Sequence, residues 1–243
     1  MTDEKIALDQ AIKSYPIEQI FDCLSDTVFF IKDRRGRYAV SNNTLALRCG
    51  LNDKSLLIGK TPSELMGKAF GKRYEAQDNA LLRKGVAVVD QLELHLFANQ
   101  TAGWCITNKK PLLDKDGKVI GIVGISQDLK QPDLSHSEMK KLTGVIEFVQ
   151  DNLSLPPTVE SLTKVANLSR FQLDLRMQRI FGLTAGQWIL KQRIEEARKL
   201  LMYSAHSLVD VAMQVGYSDQ STFTRQFRKT TGMTPLKFRR SSL

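Results

Sequence analysis

The sequence predicts an α+β chain in two parts, an antiparallel sheet with helices packed on one side followed by an all-helical domain. Three observations carry this. Strand-like alternation and turn signals crowd into residues 27–130, whereas a 3.6-residue apolar period takes over after about residue 137. The stretch between them, SQDLKQPDLSHS, is polar, holds a proline and has no period, as a linker does. The length of 243 residues at 42% hydrophobic content suits two domains of roughly 100–130 residues each. The expected division is an N-terminal extension over 1–16, a sheet domain over 17–130, a linker over 131–136 and a helical domain over 137–243.

In the first domain, Ile17, Ile20, Phe21 and Leu24 follow the spacing of a short helix with one buried face, and that amphipathic helix could also pack on a twin in a homodimer. Two hairpins follow. TVFFIK and RYAVS flank the turn DRRG, and KKPLL and KVIGIVGISQ flank the turn DKDG, each turn with an acidic residue and a glycine suited to a tight reversal. Between them Thr61-Pro62-Ser63-Glu64 has the order of a capping box that opens a helix, and a second helix over Lys72–Lys84 ends at Gly85. VAVVDQLELHLF then alternates, with Leu92, Leu94 and Leu96 on one face and Gln91, Glu93 and His95 on the other; His95 is expected at the surface.

This order of elements, the NNTLALRCGL stretch after the first hairpin and the DKDGKVIGIVGISQDL ending together resemble a PAS domain over about residues 17–130. The resemblance implies a sensory or dimerising role. Cofactor patterns known in such domains are not met: Cys49 in LALRCGL lacks the flavin-adduct context, and KRYEAQDNALLRKG holds no histidine for haem. No cofactor and no metal are expected. A small organic effector in the sheet core, lined by Phe30, Leu92, Leu94, Trp104 and Ile122, stands against the simpler alternative of a filled core in a domain that only dimerises.

The second domain repeats itself. LTKVANLS at 162–169 aligns with VAMQVGYS at 211–218, and IFG ending at Gly182 aligns with TTG ending at Gly232, so the period is 49 to 50 residues with one extra residue in the second turn. In GYSDQSTFTRQFRKTTGMTP, Ser218 is placed to cap a helix whose Phe223 and Phe227 point into a core shared with Val211 and Val215. The opposite face presents Gln220, Ser221, Thr222, Thr224, Arg225, Arg228 and Lys229, side chains suited to base edges and phosphates in a major groove. Gly216, four residues after Ala212, supplies the positive φ that a tight turn between two crossing helices requires.

Ala212, the stretch just quoted and the closing Phe238-Arg239 are very similar to the signature of the AraC/XylS family of transcription regulators. Over about residues 137–240 the resemblance implies seven helices forming two helix-turn-helix subdomains joined by a long helix at about Ala185–Leu201, both recognition helices entering successive major grooves of double-stranded DNA. By the repeat, the first recognition helix begins at SRFQLDLRMQRIFG, with Leu173 and Met177 matching Phe223 and Phe227, and with Arg170, Phe171, Gln172, Asp174, Leu175 and Gln178 outward. Leu175 stands where Arg225 stands, and Thr163 where Ala212 stands, so the first helix is expected to read a thymine methyl or to contribute shape and backbone contacts. Arg225 is the expected base contact, and Arg170, Arg228 and Lys229 the expected phosphate contacts, with Lys237, Arg239 and Arg240 as a further basic tail. The family also implies contact with RNA polymerase when such a protein activates.

Charge agrees with this. Of the formal +9, the part from residue 136 onward supplies 16 Lys/Arg against 9 Asp/Glu, or +7. The N-terminus has polar and acidic residues where a signal peptide needs an apolar core, and VIGIVGI at 119–125 is far too short to span a bilayer, so a cytoplasmic protein without a membrane partner is expected. No enzyme is expected. A methyl-accepting DNA-repair module, found beside some domains of this type, needs clustered cysteines, whereas Cys23, Cys49 and Cys105 are 26 and 56 residues apart. A general DNA binder without an effector is the other alternative.

Overall fold

A computed structural model of the chain describes residues 16–96, 102–129, 139–155 and 157–241; the expected linker 131–136, His136 and residues 1–15 of the expected extension lie outside them. The chain divides into two compact units. Of the described residues, one takes those up to 128 apart from 92–95 and 103–106, and the other takes those from 129 onward together with those two short strand segments.

The first unit holds most of a five-stranded sheet. Its strands are β1 (Thr27–Asp33), β2 (Tyr38–Ser41), β3 (Val88–Leu96), β4 (Ala102–Leu113) and β5 (Val119–Asp128), in the order β2-β1-β5-β4-β3. β1 pairs antiparallel with β2 and with β5. Both expected hairpin turns use their aspartate in the same way: Asp33 accepts from the amides of Arg35 and Arg37 at 2.8 and 2.9 Å, and Asp114 from those of Asp116 and Lys118 at 3.0 and 2.9 Å. Each carboxylate replaces the ladder partners that the reversal removes.

Asn42 caps helix α2 (Asn43–Arg48) and is fully buried, accepting from Phe29 N at 2.9 Å and donating to Thr27 O at 2.7 Å and Phe21 O at 3.0 Å. The Thr61–Glu64 box is present and opens α3 (Pro62–Lys84), which breaks at Gly67 where φ is +76°. The two helices expected from the sequence are thus the two arms of this broken run. The N-terminal helix α1 (Glu18–Asp22) departs from expectation: it has no buried residue, and Ile17, Ile20 and Leu24 are exposed. Phe21 alone of the four packs, stacked on Phe29 at 4.1 Å. With five residues the helix is too short to carry a full apolar stripe.

Alternation defines the sheet faces. Val28, Phe30 and Lys32 lie opposite Ser126, Gly124 and Ile122, and Thr107 Oγ1 sits 2.9 Å from Ser126 Oγ, so Thr107 and Lys109 share that face. Asp78 of α3 reaches both Lys32 and Lys109, which makes this the helix-covered face. On β3, however, the polar side that the alternation assigned to solvent is covered: Glu93 is 1% exposed and pairs with a largely buried His95 at 3.1 Å. Period-two alternation says which residues share a face but not which face is covered.

The second unit contains seven helices among the described residues: α4 (Met139–Asp151), α5 (Val159–Ala166), α6 (Arg170–Phe181), α7 (Ala185–Tyr203), α8 (Leu208–Gln214), α9 (Gln220–Thr231) and α10 (Pro235–Ser241). Residues on the 3.6-residue apolar period form its core. Leu142, Val145, Val149, Leu162, Leu173 and Met177 are buried around the first helix-turn-helix, and Ile194, Ala197, Val211, Val215, Phe223 and Phe227 around the second. Tyr217, Phe223, Phe227 and Phe238 form a chain of rings with centroids 5.5–5.6 Å apart, each contact adding about 0.5–1.5 kcal/mol to the area buried.

Candidate nucleic-acid interface

Each recognition helix is fixed by a turn, a cap and a buried face. In the first copy, Asn167 takes the left-handed conformation at φ +50°, which asparagine tolerates, and Ser169 forms a reciprocal box with Gln172. In the second copy, Gly216 turns at φ +81°, and an added Cβ there would stand 2.5 Å from Leu153 O. The cap is Asp219, not Ser218: its carboxylate accepts from Thr222 N at 2.7 Å and Thr222 Oγ1 at 2.8 Å, while Ser218 only donates to Asp219. The extra residue of the second turn moves the cap one place along, so the repeat runs at 49 before the turn and 50 after it. These hydrogen bonds to the ionised form hold the Asp219 carboxyl below the usual carboxylate range.

Inward, the offset of 50 pairs Leu173 with Phe223, Met177 with Phe227, Ile180 with Thr230, Leu183 with Met233 and Trp188 with Phe238, all buried. Outward, Arg170, Phe171, Gln172, Leu175 and Gln178 of α6 and Gln220, Ser221, Arg225, Arg228 and Lys229 of α9 are exposed, with Asp174, Thr222 and Thr224 half-buried. Several of these side chains have intramolecular duties. Gln172 completes its capping box, Thr222 bonds Asp219, and Asp174 Oδ1 accepts from Ala185 N at 2.8 Å, at the start of the long helix α7. In the second copy the position of Ala185 is Pro235, which has no N–H to satisfy, and Thr224 stands where Asp174 does. Arg225 donates to Thr222 Oγ1 at 3.2 Å, so its guanidinium is steadied over the first turn of α9.

The repeat also exposes a residue that the sequence reading passed over. Arg179 occupies the place of Lys229 and is likewise exposed. Thr163, at the place of fully buried Ala212, turns its hydroxyl back onto Glu160 O at 2.8 Å and is only half-buried. In the basic tail, Arg239 donates to His206 O at 2.7 Å, whereas Lys237 and Arg240 are exposed.

In the sheet unit, Phe30 and Ile122 come together in a core with Val28, Tyr38, Leu45 and Leu57, but Leu92, Leu94 and Trp104 alternate with Glu93, Cys105 and Thr107 and so lie on the opposite face. Cys23 is exposed, Cys49 half-buried and Cys105 buried; burial pushes the Cys49 thiol up to about 11, leaving it protonated at neutral pH. No helix among the described residues is long and apolar enough to cross a membrane.

A chain of this build is defined by its two domains: a PAS-type sheet domain and a paired helix-turn-helix whose recognition helices face outward. Known proteins agree. The helix-turn-helix domain model matches residues 162–241 and the PAS fold model residues 21–133. YkgA of Escherichia coli (strain K12) is 28% identical over 110 residues, 44% of this chain and 46% of YkgA. The bifunctional transcriptional activator/DNA repair enzyme AdaA of Bacillus subtilis (strain 168) is 30% identical over 98 residues, 40% of this chain and 46% of AdaA. The chain thus spans about half the length of these curated relatives. Among solved structures, the VqmA–ligand–DNA complex of Vibrio cholera aligns over 91% of each chain at 19% identity and a TM-score of 0.44, a likeness too loose to bear on function. The helical domain thus matches a helix-turn-helix domain over about a third of the chain, and the sheet domain a PAS fold over just under half of it.

Proposed function

We propose that the protein is a cytoplasmic, sequence-specific transcription regulator that reads double-stranded DNA through α6 and α9 and is modulated through its PAS domain. One observation carries this reading: the two copies keep the same buried faces, caps and turns while their outward faces differ, as two reading heads for two different half-sites would. Arg225 bonds a guanine edge in the major groove, with Gln220, Ser221 and Thr224 beside it, while Arg228 and Lys229 hold phosphates. In the first copy Arg170 holds a phosphate, Gln178 reaches a base edge, and Phe171 and Leu175 meet thymine methyl groups. Gln172, Asp174 and Thr222 position the helices through the hydrogen bonds described above. The PAS domain takes a small-molecule effector and pairs with a second copy through the exposed Ile17, Ile20 and Leu24. In activation the bound protein contacts RNA polymerase.

The test is selection of genomic fragments by the purified full-length chain at physiological salt with excess competitor DNA, followed by footprinting. A shared site of about 17–20 base pairs, protected over two successive major grooves, is the expected result. Uniform recovery of fragments overturns the reading and leaves a general DNA binder.

A further inference from the structure

The helix-covered face of the PAS sheet carries a charge imbalance that folding alone does not call for. Lys32 Nζ lies 2.5 Å from one carboxylate oxygen of Asp78, and Lys109 Nζ lies 2.6 Å from the other; all three side chains are 1–3% exposed. Two buried cations therefore share one anion. Among the described residues, Asp78 is the hydrogen-bond acceptor found for either ammonium, and each ammonium has three N–H groups to place. The aromatic faces of Tyr38 and Phe30 at 4.4 and 4.9 Å from Lys32, and of Phe30 and Tyr74 at 5.7 and 6.0 Å from Lys109, offset part of the charge without accepting hydrogen bonds from it in full. A lone buried pair would be neutral; the second lysine leaves the Lys32–Asp78–Lys109 triad with one net positive charge, which Glu75 offsets in part from the cleft wall.

A cleft of about 460 Å³, lined by Arg35, Arg37 and Lys72 together with Glu64, Glu75 and Asp78, opens beside the carboxylate that holds both lysines, although neither lysine lines it. Its size suits a small organic molecule. We propose that Lys32 and Lys109 anchor an anionic effector, a small aromatic or aliphatic carboxylic acid, whose carboxylate takes the N–H groups that Asp78 leaves over while Phe30, Tyr38 and Tyr74 flank its body. The proposal rests on the effector-binding part of the function given above and names the chemical class of that effector. Apolar lining, which a sequence search favours, is the lesser part of this site; the cations do the selecting.

The test is thermal unfolding of the full chain titrated with benzoate and, separately, with the uncharged isostere benzamide. Benzoate is expected to raise the melting temperature saturably, by about 3–6 °C once its concentration reaches ten times its Kd, and benzamide to have no effect. Lys109→Met keeps the Lys32–Asp78 pair as a neutral unit, so it is expected to fold, as checked by circular dichroism, and to lose the benzoate response. Should it not fold, Lys109→Gln takes its place. A flat benzoate titration in the wild type, equal shifts with benzamide, or an undiminished response in the folded variant overturns the proposal. Footprinting the same preparation reports on DNA recognition independently, so the receptor can fail while the regulator stands.

Discussion

The two helix-turn-helix copies were built from one pattern and diverge in an orderly way. Where a position faces inward or closes a turn, the chemistry is mostly held: an apolar residue for an apolar residue except at Ile180 against Thr230 and Thr163 against Ala212, a left-handed residue for a left-handed residue, a capping oxygen for a capping oxygen. Where a position faces outward, it changes freely, Leu175 against Arg225 and Gln178 against Arg228. Scaffold and surface are thus separable, and the differences between the copies say which side chains are available for recognition.

The core supplies the largest way to test that separation. Phe227→Ala, at a fully buried site touching Phe223 and Phe238, is expected to cost about 3–5 kcal/mol in chemical denaturation, and Met177→Ala in the first copy about 2–5 kcal/mol. If either change left stability untouched while abolishing DNA binding, the inward face would be part of the reading surface and the separation would fail. The turns come next. Gly216→Ala forces a side chain into φ +81° and against Leu153 O, a loss of about 1–2 kcal/mol from the backbone alone, whereas Asn167→Gly in the other turn is expected to change thermal stability little.

The outward face is tested by exchange. Arg225→Ala is expected to weaken binding to a selected site by about 1–3 kcal/mol and to relax preference at one base pair, while Lys229→Ala weakens all sequences alike and lowers the salt slope by about 1. Leu175→Arg, at an exposed site, should leave the melting temperature unchanged and alter preference only in the first half-site. The smallest effect is a pH effect. Asp219 has its carboxyl held down by the hydrogen bonds it accepts, so its contribution to α9 is present above the unfolded value near 3.9 and is lost as pH falls through the folded value. Ser169 does not titrate. The protection factors of the amides in the first turn of α9, corrected for the intrinsic exchange rate, should therefore fall as pH drops below about 4, while those of α6 should not.

Most of the helical domain was legible because its signals are local: a repeat, a period, a glycine at a fixed offset from an alanine. The cap at Asp219 was misplaced by one residue because Ser218 and Asp219 are both good caps and only the inserted residue in the turn decides between them. The sheet domain was legible in its hairpins, whose aspartates act within a few residues. Its interior was not. The Lys32–Asp78 and Lys109–Asp78 pairs join residues 46 and 31 apart in the chain, and a lysine in an alternating strand reads as solvent-facing until the helix that covers it is known. The same ignorance put Glu93 and His95 outside and sought a pocket beside Leu92, Leu94 and Trp104.

In the proposed reading, the exposed leucine of α6 reaches beyond the four-letter code. An aliphatic side chain such as Leu175 senses a methyl group rather than a base, and cytosine methylated at C5 carries that methyl in the same groove. A half-site read by α6 would then respond to the methylation state of the genome: uracil in place of thymine should weaken it, and 5-methylcytosine should partly stand in for thymine. The guanine contact of Arg225 itself uses no such methyl.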